Sequence, residues 1–156
     1  MKPVLDACCG SRMFWFDKSN QMALFCDQRS ESHKLCDGRT LNIHPDMKAD
    51  FTDLPFDDSS FHLVVFDPPH LVRAGKKSWL ALKYGVLGKS WQEDIAAGFA
   101  ECFRVLKDNG TLIFKWNETQ IPVSQVLALT PEQPLFGNKM PKQTGTHWIC
   151  FMKAEA

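Results

Sequence analysis

The sequence has no excess of charge of either sign: 18 Lys and Arg residues balance 18 Asp and Glu residues across 156 positions. Attachment to nucleic acid through an overall positive field is thereby excluded, and any basic footprint has to be local. No two cysteines stand at Cys-x-x-Cys spacing. The six occur at positions 8, 9, 26, 36, 102 and 150, mostly inside apolar runs such as Trp148-Ile149-Cys150-Phe151. Free, buried thiols in a reducing compartment follow from that pattern. Cys26, His33, Cys36 and His44 match no common zinc-finger spacing, so no metal is expected. No apolar run approaches the roughly 18 residues of a membrane span, and Asp6 interrupts the N-terminal segment too early for a signal peptide. The expected location is the cytoplasm. Repeats, low-complexity tracts and long linkers are also missing, so residues 1–156 are read as a single domain.

What is present is an alternation of short apolar runs with helical or loop segments. Pro3–Ala7 and Met22–Asp27 each meet an aspartate near their C-terminal end. Phe61–Asp67 is β-branched and aromatic, and two prolines end it. Thr111–Trp116 follows an Asn109-Gly110 turn. Thr146–Met152 faces Pro134-Leu135-Phe136 across a polar connection and reads as a terminal antiparallel hairpin. A helix is predicted from about Trp91 to Lys107, with Ser90 and Glu93 as a capping box and Ile95, Phe99, Cys102, Phe103 and Leu106 as its buried stripe. A second is predicted from Thr119 to Leu129, with Pro122 in its first turn. Near-continuous apolar strands separated by helices predict an α/β fold: a mostly parallel twisted sheet covered by helices on both faces. Ligands of such sheets bind at the C-terminal strand edge, where these aspartates fall.

Asp6-Ala7-Cys8-Cys9-Gly10 is a strand end followed by a turn in which Gly10 allows close backbone approach to a ligand. Asp27, 21 residues further on, suits the two hydroxyls of a ribose. The phosphate-cradling G-x-G-x-x-G is absent, since Arg12 and Trp15 replace its second and third glycines; a pyrophosphate ligand is disfavoured. With Asp50-Phe51-Thr52-Asp53-Leu54-Pro55-Phe56, these motifs resemble those of the class I S-adenosylmethionine-dependent methyltransferases, which have a Rossmann-like fold. The resemblance covers Val4 to about Met152 and departs from the family at Arg12. It implies S-adenosyl-L-methionine as cofactor, held by Asp6, Ala7, Cys8, Gly10, Asp27, Asp50 and Phe51. Many relatives cover the cofactor's carboxyl end with a helix ahead of the first strand; here Arg12 with the Met13-Phe14-Trp15-Phe16 run, or a partner subunit, is expected to cover it.

Asp67-Pro68-Pro69-His70 is the most specific motif. Two prolines fix φ and remove two N–H donors, leaving the Asp67 carboxylate and neighbouring carbonyls as acceptors. An amino group offers two hydrogens to such acceptors, which turns its lone pair toward an incoming methyl. The run resembles the D/N-P-P-aromatic motif of amino-methyltransferases acting on adenine, cytosine or glutamine amides, with His70 in the aromatic position. Its four residues are the expected catalytic set.

Between Leu71 and Trp91 there is no acid, while Arg73, Lys76, Lys77, Lys83 and Lys89 alternate with Trp79, Tyr84 and Trp91. Cations for phosphates and aromatics for bases suit a flipped or single-stranded nucleic acid, and the segment is placed to act as a lid. Lys76, Lys77, Trp79, Lys83, Lys115 and Trp116 are the expected substrate-binding residues. The leading expectation is methylation of adenine N6 in DNA or RNA. N5-glutamine and N4-cytosine methylation use similar geometry, and a catalytically inactive cofactor-binding partner subunit is the alternative of another class. A homodimer also remains open.

Overall fold

The computed structural model describes residues 1–74, 78–138 and 145–156. Nine strands and three helices are described: β1 (Val4–Asp6), β2 (Ala23–Asp27), β3 (Glu31–Lys34), β4 (Thr40–Ile43), β5 (Met47–Lys48), β6 (Phe61–Phe66), α1 (Trp79–Tyr84), α2 (Trp91–Val105), β7 (Leu106–Asn117), α3 (Val123–Leu127), β8 (Phe136–Gly137) and β9 (Thr146–Met152). Seven strands form one mixed sheet in the order β5-β2-β1-β6-β7-β9-β8, and β3 and β4 form a separate antiparallel pair. β5, β2, β1, β6 and β7 run parallel, whereas β9 is antiparallel to both β7 and β8. The chain runs from β1 outward to β2 and β5, then returns to β6 on the other side of β1. The topological switch point therefore lies between β1 and β6.

Strand parity decides which side chains enter the core. Leu112, Phe114 and Trp116 of β7 are buried, while Thr111, Ile113 and Lys115 between them are only half-buried. α2 covers the buried face. Ile95, Phe99, Cys102 and Phe103 join Phe66, Phe114 and Phe151 in the main core, to which α3 adds Val126. Phe99 meets Phe66 and Phe114 with ring centroids 5.4 and 4.8 Å apart.

The opposite face differs from the expectation of helices on both sides. Among the described residues no helix connects β1 to β2, or β2 to β5; turns and the β3–β4 hairpin occupy those connections. A small cluster of Val4, Cys9, Ala23 and Phe25, with Trp15 packed against it, stands there instead. The physical reason is composition: residues 10–22 hold no helical apolar stripe, and Asp17 and Asn20 cap local turns through Ser19 N–H and Met22 N–H. α2 also lacks the expected capping box, because the Ser90 hydroxyl bonds the Asp94 carboxylate instead. No described helix is long and apolar enough to cross a membrane.

Candidate active site

The parallel register brings the motifs together. β1 and β6 pair with Asp6 opposite Val65, and Ala7 N–H continues the ladder to the Val65 carbonyl. β6 and β7 pair with Phe66 opposite Phe114. Ala7, Asp67 and Lys115 thus emerge side by side at the C-terminal edge of three adjacent strands. A cleft opens there, lined by Ala7, Cys8, Gly10, Asp27 and Phe51 together with Asp67, Pro68, Pro69, His70 and Lys115.

Gly10 has φ +51°, a left-handed conformation that turns its amide onto Asp27, whose Oδ2 accepts the N–H at 2.8 Å. Asp27 Oδ1 accepts from Arg29 N–H at 2.9 Å. Arg12, two residues beyond Gly10, is also left-handed, with φ +60°. Such a conformation costs about 1 kcal/mol or more for a side chain bearing Cβ. Its guanidinium offsets the strain by donating to the Lys18 and His44 carbonyls, pairing with Asp46 at 3.5 Å and lying 3.9 Å over the Phe25 ring. The departure from glycine is thus a stabilised turn.

Among the expected residues whose side chains are described, Asp6, Asp50 and Trp116 do not line this cleft. Asp6 is fully buried beneath it, accepting from Trp15 Nε1 at 2.8 Å and from Cys8 N–H at 3.3 Å. Burial pushes its carboxyl up to about 7 against those two hydrogen bonds. Asp50 is exposed and its Oδ1 is engaged by the N–H and hydroxyl of Thr52. Trp116 points into the core, donating to the Ile121 carbonyl at 3.0 Å, since neighbours in a strand face opposite ways and Lys115 takes the cleft side.

At the acid–proline–proline corner, burial pushes the Asp67 carboxyl up to about 6, while Lys115, with Nζ 3.5 Å from Oδ2, pulls it down. His70 is pushed down to about 4, by burial first and then by the Lys115 charge. At neutral pH Asp67 is therefore mostly an acceptor-only carboxylate and His70 a neutral imidazole. The His70 ring sits edge-on to Trp116, with centroids 6.3 Å apart.

The segment after His70 borders the cleft through its described residues. Gln120 clamps its start, accepting from Val72 and Arg73 N–H and donating to the Arg73 carbonyl. Ser78 caps α1 by accepting from Ala81 N–H at 3.1 Å. Arg29 donates to the Leu82 and Lys83 carbonyls at 2.7 and 3.3 Å, and Lys83, Gly85 and Val86 line the cleft. Of the expected substrate-binding residues, Lys83 and Lys115 reach the cleft, Trp79 begins α1, and Lys76 and Lys77 lie outside the described residues. The sequence did not single out Cys9, Ser11, Gln28 or Arg29, all of which line it too.

No family model and no curated protein matches the sequence. Solved structures do share the fold. A Pyrococcus horikoshii protein aligns over 96% of this chain and 81% of its own, with 14% identity and TM-score 0.60. A putative methyltransferase from Pseudomonas syringae aligns over 97% and 87%, with 13% identity and TM-score 0.55. The cyclase SpnF aligns over 98% and 74%, with 12% identity and TM-score 0.54. The chain has the mixed α/β, Rossmann-like architecture that these proteins share. That a cyclase is among them leaves the reaction to be argued from the site.

Proposed function

We propose that this chain transfers the methyl group of S-adenosyl-L-methionine to an exocyclic amino nitrogen, adenine N6 in DNA or RNA. The observation that carries the reading is the continuity of one cleft from Gly10, Asp27 and Phe51 to Asp67-Pro68-Pro69-His70. The donor set fits the cofactor. The Asp27 carboxylate keeps lone pairs for two ribose hydroxyls, the Phe51 ring offers an apolar face to a purine, and Gly10 brings backbone close without a side chain. Carboxylates at Asp27 and Asp67 also suit a cationic ligand. S-adenosyl-L-methionine, when bound, supplies an electrophilic methyl on a positively charged sulfur.

This chain's residues then position the acceptor. The Asp67 carboxylate accepts one N–H of the target amine and the Pro68 carbonyl the other, which aims the nitrogen lone pair along the transfer axis. Against the burial that favours the protonated form of Asp67, the Lys115 ammonium favours the carboxylate. His70, being neutral, adds no charge repelling a sulfonium. No strong base is required, because the product nitrogen sheds its proton after transfer.

The test is incubation with labelled S-adenosyl-L-methionine and DNA, tRNA or rRNA, followed by nucleoside mass spectrometry. N6-methyladenosine or its deoxy form is expected; N4-methylcytosine in its place would reassign the target. Asp67→Ala is expected to lower transfer by about 100-fold or more while leaving donor affinity nearly intact. Full activity in that variant would refute the role of Asp67.

A further inference from the structure

The acid–proline–proline motif supplies acceptors for an amino group but only a small imidazole as the flat surface for whatever carries it. Another aromatic ring lines the same cleft. Phe14, half-buried, lines it together with Asp67, His70 and Lys115. Its ring is held by its neighbours: Trp15 stacks on it with centroids 6.3 Å apart and planes 27° from parallel, and Trp148 meets it edge-on at 5.2 Å. Trp15 is anchored in turn by its hydrogen bond to buried Asp6 and by edge contact with Phe25 at 4.8 Å. The ring is therefore held in place without a ligand, which removes an ordering cost from binding. Lys115 Nζ ties it to the motif, lying 5.6 Å from the Phe14 centroid and 3.5 Å from Asp67 Oδ2.

We propose that Phe14 is the wall against which the planar ring of the methyl acceptor stacks, so that the acceptor is a nucleobase rather than a glutamine amide. This inference rests on the proposed function and adds the residue that would hold its acceptor. A nucleobase offers a π-face wide enough to cover a phenyl ring, whereas a side-chain amide offers three heavy atoms in a plane and gains little from one.

The experiment measures binding of single-stranded, adenine-rich DNA and RNA oligonucleotides at saturating S-adenosylhomocysteine, with affinity for S-adenosylhomocysteine followed by calorimetry in parallel. Phe14→Ala, and Phe14→Leu, which keeps apolar bulk but loses the flat face, are expected to weaken the preferred oligonucleotide by about 10-fold or more. Phe14→Trp is expected to restore it, and S-adenosylhomocysteine affinity is expected to stay unchanged throughout. Oligonucleotide binding that neither Ala nor Leu weakens overturns the wall while leaving the proposed function standing. A loss confined to S-adenosylhomocysteine affinity overturns it too, by showing that Phe14 covers the cofactor. A wild-type chain that binds S-adenosylhomocysteine but neither oligonucleotide overturns the proposed function and the wall together.

Discussion

Asp67 sits under two opposing influences, and their balance sets a pH dependence. Burial pushes its carboxyl up and the Lys115 ammonium pulls it back, to about 6. If the carboxylate is the form that accepts the target N–H, the rate falls as pH drops through that value. Lys115→Met removes the pull, so the acid limb of the rate–pH profile is expected to move to higher pH. A limb that stays in place or moves down would contradict the pairing. Lys115 and its neighbour on the strand were both expected at the substrate, and alternation separates them. Lys115 and Trp116 are adjacent on a strand, so only one of them can face the cleft, and alternation with buried Phe114 decides which (Lys115). Asp6 was harder to place. Its spacing marks a motif, but only packing reveals that its carboxylate supports Trp15 from beneath.

Elements carry the site through close packing as well as through register. Gly98 lies in the middle of α2, where an added Cβ would stand 2.5 Å from Phe66 Cζ and 2.6 Å from Phe51 Cδ2. Those atoms are ring carbons in a packed core, so Gly98→Ala has to push the helix off the sheet. The cost is expected to be about 1–3 kcal/mol, exceeding the gain in helix propensity of about 1 kcal/mol. Because Phe51 also lines the cleft, donor affinity is expected to fall with stability. Thermal unfolding with calorimetry of donor binding checks both, and a variant with unchanged midpoint and affinity would show that α2 does not set the position of Phe51. β1, β2, β6 and β9 were legible as apolar runs with a turn signal behind them, and Thr146–Met152 is β9 to the residue. β7 begins at Leu106, so it takes in the Asn109-Gly110 pair and the end of the stretch predicted as helix, which stops at Val105. The β3–β4 hairpin was not read, although Asp37-Gly38 marks its turn, because its first strand is Glu31-Ser32-His33-Lys34 and offers no apolar alternation. α1 escaped for a related reason: six residues are too few to show a period. α3 is shorter than predicted because Pro122 stands at its cap rather than within its first turn.

For the molecule as a whole, the order of strands matters more than the number of helices. Placing β6 beside β1 puts the Gly10 turn and the Asp67 corner at one switch point, and this arrangement survives with turns and a hairpin in place of the helices between β1 and β2 and between β2 and β5. Alternating apolar runs predicted the sheet. They also predicted helices over both faces, and the second face departs from that because residues 10–22 form turns around Phe14, Trp15 and Phe16 instead of a helix. A balanced net charge likewise leaves affinity for nucleic acid to local groups in and around the cleft. The central claim, that donor and acceptor meet in this one cleft, is tested most directly by a crystal structure of the chain grown with S-adenosylhomocysteine. The account predicts ribose hydroxyls on Asp27, the purine against Phe51 and the sulfur facing Asp67. The ligand seated elsewhere, or its sulfur turned away from Asp67, would contradict it.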